Sequence, residues 1–199
     1  MKLIISRNSF KRVLVWTQRS LFGGAAVALG YCAFVLADTW IFQHEQSQQF
    51  ERQFEASRVS SAATPPAVIT AGMIGLIEIP RLDISVIVME GTVPRTLRRS
   101  AGHIPGTALP GTPGNVGISA HRDTFFRPLR NIRRNDIITI RTILGSYRYR
   151  VVSTSIVAPQ DVAVLNSSVE EELTLVTCYP FYFVGAAPDR FIVRAERVT

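Results

Sequence analysis

Apolar and polar positions follow two different patterns along this chain. From Leu21 to Ala37 it reads LFGGAAVALGYCAFVLA, without a charge. As a helix such a run covers about 25 Å, slightly short of the roughly 30 Å hydrocarbon core of a bilayer. Trp16 and Trp40 bracket it, as interfacial aromatics do, and with those flanks the segment is long enough to span. From about Met73 the pattern changes to short β runs. Strands are predicted at Ile74–Ile79, Ile84–Met89, Val116–Ser119, Ile137–Thr142, Tyr147–Val157, Leu173–Cys178 and Phe191–Arg197. Tyr147–Val157 alternates polar and apolar residues, which suits a strand with one buried face. Short helices or turns fit Pro94–Ser100, Thr124–Asn131 and Asp161–Asn166. The stretch Gly102–Gly117, GHIPGTALPGTPGNVG, reads as a tight irregular loop. Many short strands with such loops predict a mainly β fold, a closed or nearly closed barrel with short helices, preceded by one transmembrane helix.

Between these regimes, residues 41–70 read as stalk and linker. Gln and Glu dominate Gln43–Glu55, expected as a helix emerging from the membrane, and Ser, Ala and Pro lead to Thr64-Pro65-Pro66. The first twenty residues carry Lys2, Arg7, Lys11, Arg12 and Arg19 and no acid, whereas Asp38 and Glu45 follow the apolar run. The positive-inside rule then divides the chain into a cytoplasmic basic N-terminus (1–20), a signal anchor in the cytoplasmic membrane (21–40), the stalk, and an extracytoplasmic domain (71–199). A cleaved signal peptide ending at Val35-Leu36-Ala37 is the competing reading, but the apolar run exceeds the usual core of such peptides. Lipoprotein processing at Cys32 is excluded by the bulky Tyr31 before it.

A chain of 199 residues has room for one domain and an appendage. With 47% hydrophobic and 19% charged residues it is not a disordered chain. The net charge of +7 is almost all arginine. Outside the N-terminus the basic residues gather at Arg122, Arg127, Arg130, Arg133 and Arg134, read as a solvated loop. No aromatic-interleaved basic helix or zinc-finger spacing accompanies them, so nucleic acid is not an expected partner.

Of the two cysteines, Cys32 lies in the apolar run and Cys178 far away, so no disulfide is expected within the chain. Cys178 ends the run Leu173-Thr174-Leu175-Val176-Thr177 and precedes Tyr179-Pro180. A strand thus delivers the thiol to its own end, and the proline stops the ladder. By itself such a cysteine more often acts as a small buried hydrophobe. His121 changes the picture, because it too follows a strand, in Ala120-His121-Arg122-Asp123. A nucleophilic thiol needs a nearby proton donor and acceptor, and histidine titrates in the useful range. Asp123 either orients that ring or caps the short helix beginning near Thr124; the cap is favoured. Arg190 opens the last predicted strand. A fixed guanidinium there suits the negative charge that acyl transfer builds on a carbonyl oxygen, although an ion pair with Asp189 is the plainer reading.

Taken together these residues resemble the sortase family, and most of all its class D members. Thr174-Leu175-Val176-Thr177-Cys178 matches the TLxTC motif, and Arg190 follows twelve residues later. Asn115–Thr124 resembles the histidine strand, and Gly102–Thr107 and Cys178-Tyr179-Pro180-Phe181 fit the same group. The likeness covers about residues 72–198. One departure is Ala120, where glycine is common. The resemblance implies a closed β-barrel of about eight strands and a membrane-anchored cysteine transpeptidase. Cys178 would be the nucleophile, His121 the proton-transfer partner and Arg190 the oxyanion-stabilising cation. Partners would be exported proteins carrying an LPxTG-like sorting signal and an amine acceptor, such as a cell-wall precursor or pilin. Thr177 and Tyr179 are candidate peptide contacts, the loops at about 158–172 and 179–189 candidate specificity walls, and Pro180–Val184 a candidate seat for the Leu-Pro part of the signal. No cofactor is expected. Glu170-Glu171-Glu172 is the one dense acidic run, suited to weak calcium binding but more simply a solvated loop. The remaining alternatives are a peptidoglycan L,D-transpeptidase, whose Ser-x-Gly-Cys block is missing, and a non-catalytic membrane-tethered β domain that binds exported peptides.

Overall fold

Eight strands close into one barrel in a computed structural model that describes residues 7–59, 72–183 and 185–198. In chain order they are β1 (Met73–Ile79), β2 (Ile84–Glu90), β3 (Ala101–His103), β4 (Gly114–Ser119), β5 (Ile137–Thr142), β6 (Gly145–Val157), β7 (Glu171–Tyr179) and β8 (Asp189–Val198). Around the barrel the order is β1-β2-β3-β4-β7-β8-β6-β5, and β5 pairs with β1 to close it. Two neighbours are parallel, β2 with β3 and β4 with β7; the others are antiparallel. A barrel of eight strands is just wide enough for side chains to fill. Here Ile77, Ile79, Val88, Val116, Ile118, Ile138, Ile140, Leu173, Leu175 and Val193 fill it, all with no exposed surface.

The predicted strands are all present, most a residue or two longer. β3 is the addition: the supposed loop Gly102–Gly117 begins with two residues, Gly102 and His103, that pair with both β2 and β4. Glycine hid this strand, and packing explains the glycine. A Cβ on Gly102 would lie 2.3 Å from the Gly91 carbonyl oxygen. The predicted helices shrink to a single turn, α2 (Pro94–Leu97), and to 3-10 turns at Arg127–Asn131 and Val162–Leu165, with another at Pro80–Leu82. The turn at Arg127–Asn131 has Phe126 at its N-cap and no side-chain cap, so Asp123 does not have the capping role expected of it.

The chain forms two units, Met1–Ile41 and Phe42–Thr199. One helix, α1 (Arg7–Val59), contributes to both. In the first unit it presents the apolar run Leu21–Ala37 exposed, within a helix that is long and apolar enough to cross a membrane. In the second unit the helical residues from Phe42 on lie against the barrel. Phe50 is 1% exposed and packs with Met73, Leu76 and Ile87, with Phe54 stacked beside it at 5.8 Å. The Gln43 amide bridges the sheet where β3 has not yet begun: its oxygen accepts from Ile87 N at 3.2 Å, and its nitrogen donates to the Arg99 carbonyl. Arg141 lies over both Phe50 and Phe54 and pairs with Glu51 at 2.8 Å. Gln43–Glu55, read from its composition as a stalk, is thus part of the domain's surface layer. The linker Thr64-Pro65-Pro66 lies outside the described residues.

One core residue makes a stability prediction. Tyr149 has no exposed surface, and its hydroxyl finds no hydrogen bond of ordinary geometry. Burial, reinforced by the Glu171 charge, pushes its pKa up to about 12. Folded and unfolded chains therefore differ above the unfolded value of about 10. There the unfolded phenol ionises and the folded one does not, so stability present at lower pH is lost as pH rises from about 10 to 12. Tyr149→Phe is expected to leave stability at pH 7 unchanged or slightly raised, because no good hydrogen bond is lost. It is also expected to flatten the alkaline fall. Urea titrations of both proteins between pH 8 and 12 measure this, and a clear loss at pH 7 would show that the hydroxyl is well partnered.

Candidate active site

β4 and β7 run parallel, with Ser119 opposite Val176. Beyond that pair the strands stay tied: Ala120 N donates to Val176 O at 3.3 Å, and the Thr177 hydroxyl donates to Ala120 O at 2.8 Å. The next residues are His121, just past the end of β4, and Cys178 on β7. β8 runs antiparallel to β7 and pairs Arg190 with Cys178 directly. Two parallel strands thus end, and an antiparallel one begins, at the same rim of the barrel. Strand direction brings residues 57 and 12 positions from Cys178 in sequence to that same rim. All three side chains are half-buried, and the Cys178 thiol is free.

Ala120 fits this arrangement. Its methyl is buried in the barrel core and its backbone keeps both bonds to β7. Thr177 is corrected from peptide contact to structural tie: it is 2% exposed, and its hydroxyl is committed to Ala120 O. That buried bond lies one residue before His121 and one before Cys178. Thr177→Val, of nearly the same shape, leaves Ala120 O without this donor, at a cost of about 1–3 kcal/mol. Thr177→Ser is expected to keep the bond and most of the stability, and thermal unfolding of both variants checks it. Tyr179 stays at the rim, half-buried in an aromatic cluster with Phe181 (centroids 6.1 Å apart) and Phe191 (6.4 Å).

The connection between β7 and β8 is held by two arginines. Arg190 donates to the carbonyls of Ala187 at 3.3 Å and Asp189 at 2.9 Å, so its guanidinium is bound to backbone rather than to the Asp189 carboxylate. Arg122, next to His121, donates to Phe183 O at 2.7 Å and Gly185 O at 2.9 Å and lies 5.9 Å from the Phe183 ring centroid. Sequence reasoning placed Arg122 in a solvated basic cluster. The available signal was its position beside the candidate histidine His121 just past a strand end. Of the suggested seat Pro180–Val184, Pro180, Phe181, Tyr182 and Phe183 are described and Val184 is not.

The segment after His121 is anchored at its far end. Arg81 grips both oxygens of Asp136 and donates to Asn131 O at 2.7 Å. The hydrogen bond from Arg81 holds the Asp136 carboxyl below the usual carboxylate range. The acidic run is engaged by arginines: Glu171 pairs with Arg197 and Glu172 with Arg194, each at 3.1 Å. Among the described residues no cluster of His, Cys, Asp or Glu is set to hold a metal ion. His103 lies apart from the Cys178 rim, buried between Glu90 and the Ala108 carbonyl.

Fold and rim together define a closed-barrel protein with a cysteine and a histidine at the ends of adjacent parallel strands. Comparison with known proteins gives that class a family. The Sortase domain family model matches residues 77–198. Sortase D of Bacillus subtilis (strain 168) is 36% identical over 126 residues, covering 63% of this chain and 64% of that protein. Sortase A of Listeria monocytogenes serovar 1/2a is 26% identical over 110 residues, covering 53% of this chain and 49% of that protein. This chain therefore spans less than two thirds of the length of either relative. The solved Clostridium perfringens Sortase D5 transpeptidase superposes with a TM-score of 0.62 at 26% identity, covering 76% of this chain and 95% of that one. Sortase A from Corynebacterium diphtheriae, as a lid mutant, gives 0.60 at 27% identity, covering 77% and 95%. The chain belongs to the sortase family.

Proposed function

We propose that this chain is a membrane-anchored cysteine transpeptidase. It cleaves an LPxTG-like sorting signal through a thioester acyl-enzyme and passes the substrate protein to an amine acceptor. The observation that carries this reading is the convergence of Cys178, His121 and Arg190 on one rim, by strand register. Membership of the sortase family supports it.

Cys178 attacks the threonine carbonyl as thiolate, the nucleophilic form of the group. Negative charge grows on the carbonyl oxygen, and the Arg190 guanidinium stabilises it. For this its guanidinium exchanges the Ala187 or Asp189 carbonyl for the substrate oxygen. His121 gives a proton to the leaving amine, and the C–N bond breaks to leave a thioester. An incoming amine then attacks, His121 takes its proton, and the new amide releases Cys178. Dividing one hard exchange into two easier ones is the gain of covalent catalysis. Where water replaces the amine, the outcome is hydrolysis.

Leu21–Ala37 anchors the chain, with the basic N-terminus inside and the barrel outside, where exported substrates pass. Pro180–Phe183 and Tyr179 form one wall of the peptide site, giving the leucine and proline of the signal an aromatic surface. The test is incubation of the full chain in detergent with LPxTG-like peptides and a glycine peptide as amine, followed by intact mass spectrometry. A mass gain of the acyl fragment on the protein, together with an amide product, is expected. An unmodified protein whose thiol is also inert to alkylation would instead favour a peptide-binding domain.

A further inference from the structure

We propose that Arg122 is a positioning residue of this site: it clamps the β7–β8 connection onto the strand end that carries His121, and so sets where Arg190 points. The inference rests on the transpeptidase reading above, and it assigns a role to a residue that reading does not use.

The geometry is specific. Arg122 follows His121 directly, so its backbone moves with the histidine. Its Nη2 donates to two carbonyls of the opposite connection, Phe183 O at 2.7 Å and Gly185 O at 2.9 Å, and its guanidinium lies over the Phe183 ring. Nearby, Arg130 lies 5.4 Å from the Tyr182 ring centroid. On its other side the same connection supplies the Ala187 and Asp189 carbonyls that hold the Arg190 guanidinium. One short stretch of backbone is thus gripped by an arginine from the histidine side and an arginine from the β8 side. Gly185, in the first grip, is two positions from Ala187 and four from Asp189, so slack in one grip passes to the other.

Stability alone gives a poor account of Arg122. Its Nη1 is buried without a hydrogen-bond partner. A buried unsatisfied donor is costly, and that cost offsets what the two bonds to loop carbonyls return. Placing a long charged side chain there makes sense if the position of the connection matters more than its contribution to folding. The magnitude at stake is large, since a misplacement of about 1 Å in a reacting geometry can reduce turnover about a hundredfold.

The experiment compares Arg122→Met, Arg122→Lys and Arg127→Met with the wild type, all as full chains in detergent. Arg127 is exposed, so Arg127→Met removes an equal charge from the same segment. Each is assayed with the most reactive LPxTG-like peptide and a glycine peptide as amine, and each is melted. For Arg122→Met, kcat is expected to fall about 10- to 100-fold, with KM moving about threefold or less. Tm should stay within about 2 °C of wild type. Lysine can donate to the same carbonyls and should recover kcat to within about fivefold, while Arg127→Met should match wild type. Hydrogen exchange should quicken in the 179–189 peptide of Arg122→Met only. Alkylation of Cys178 should keep its pH profile, which a purely electrostatic role for Arg122 would displace. Wild-type turnover that Arg122→Met matches, or a Tm that falls together with kcat, overturns the positioning role alone. A wild-type chain that turns over no peptide overturns the transpeptidase reading, and the assignment with it.

Discussion

Cys178→Ala is expected to lose the acyl-enzyme and the amide product together, with turnover down by at least about four orders of magnitude. The reason is that the proposed reaction has no route around the thioester: without the sulfur there is nothing for the acyl group to rest on. His121 and Arg190 should matter less when removed singly. Loss of a general acid–base group costs about 10²–10⁴ in rate, and loss of an oxyanion donor about 10²–10³. In the proposed reaction the three act as one unit, so their effects should not be additive. Cys178→Ala with His121→Ala should be no slower than Cys178→Ala alone. Arg190 carries a complication visible in its contacts, since it also holds the Ala187 and Asp189 carbonyls. Arg190→Ala removes both a cation and a backbone tie, whereas Arg190→Lys keeps the charge and loses the planar fork. A large rate loss in Arg190→Lys with an unchanged melting curve would identify the fork, aimed at the developing oxyanion, as what matters. Should Cys178→Ala keep full function while its peptide still binds, the rim is a binding surface and catalysis is the wrong reading.

How much of this was legible beforehand follows from the kind of information each feature needs. The strands could be read because alternation such as Tyr147–Val157 is a local signal, and the buried runs of β4 and β7 are short and apolar. β3 could not, because three residues with a central glycine carry no alternation, and the space denied to a Gly102 side chain belongs to Gly91, eleven residues away. Cys178 and His121 were legible as strand-end residues. Their placement at one rim rests on β4 and β7 being parallel, which no local signal in the sequence carries. Thr177 was misread because a residue beside a nucleophile looks available, yet alternation along β7 turns its side chain inward. The docking of Gln43–Glu55 was hidden by composition. A segment rich in Gln and Glu reads as solvated, but Phe50 and Phe54, four apart, share one helical face, and the arginine that covers them comes from β5.

Phe50→Ala should therefore be costly in a segment that reads like a spacer. Truncating a phenylalanine in a core costs about 3–5 kcal/mol, from lost transfer energy and the cavity left behind. Phe50 qualifies by burial at 1% exposed, with Met73, Leu76 and Ile87 around it. In a domain of this size that corresponds to a Tm lower by roughly 10 °C. The cost has a ceiling, however, because the helical segment has the option of leaving the barrel, and no mutation on the docked face can cost more than undocking does. That ceiling makes a second result decisive. Arg141 lies over Phe50 and Phe54 and pairs with Glu51, so Arg141→Ala weakens the same face. Once one change has undocked the segment the other has little left to remove, and the double variant should be less destabilised than the two singles predict together. Hydrogen exchange locates the event, because Ile87 N–H donates to Gln43 on the docked segment and should exchange faster in Phe50→Ala. A slowly exchanging Ile87 with an unshifted Tm would mean that the segment only rests on the barrel. Additive losses with a slow Ile87 would mean that it stays docked and that the cavity under Phe50 carries the whole cost.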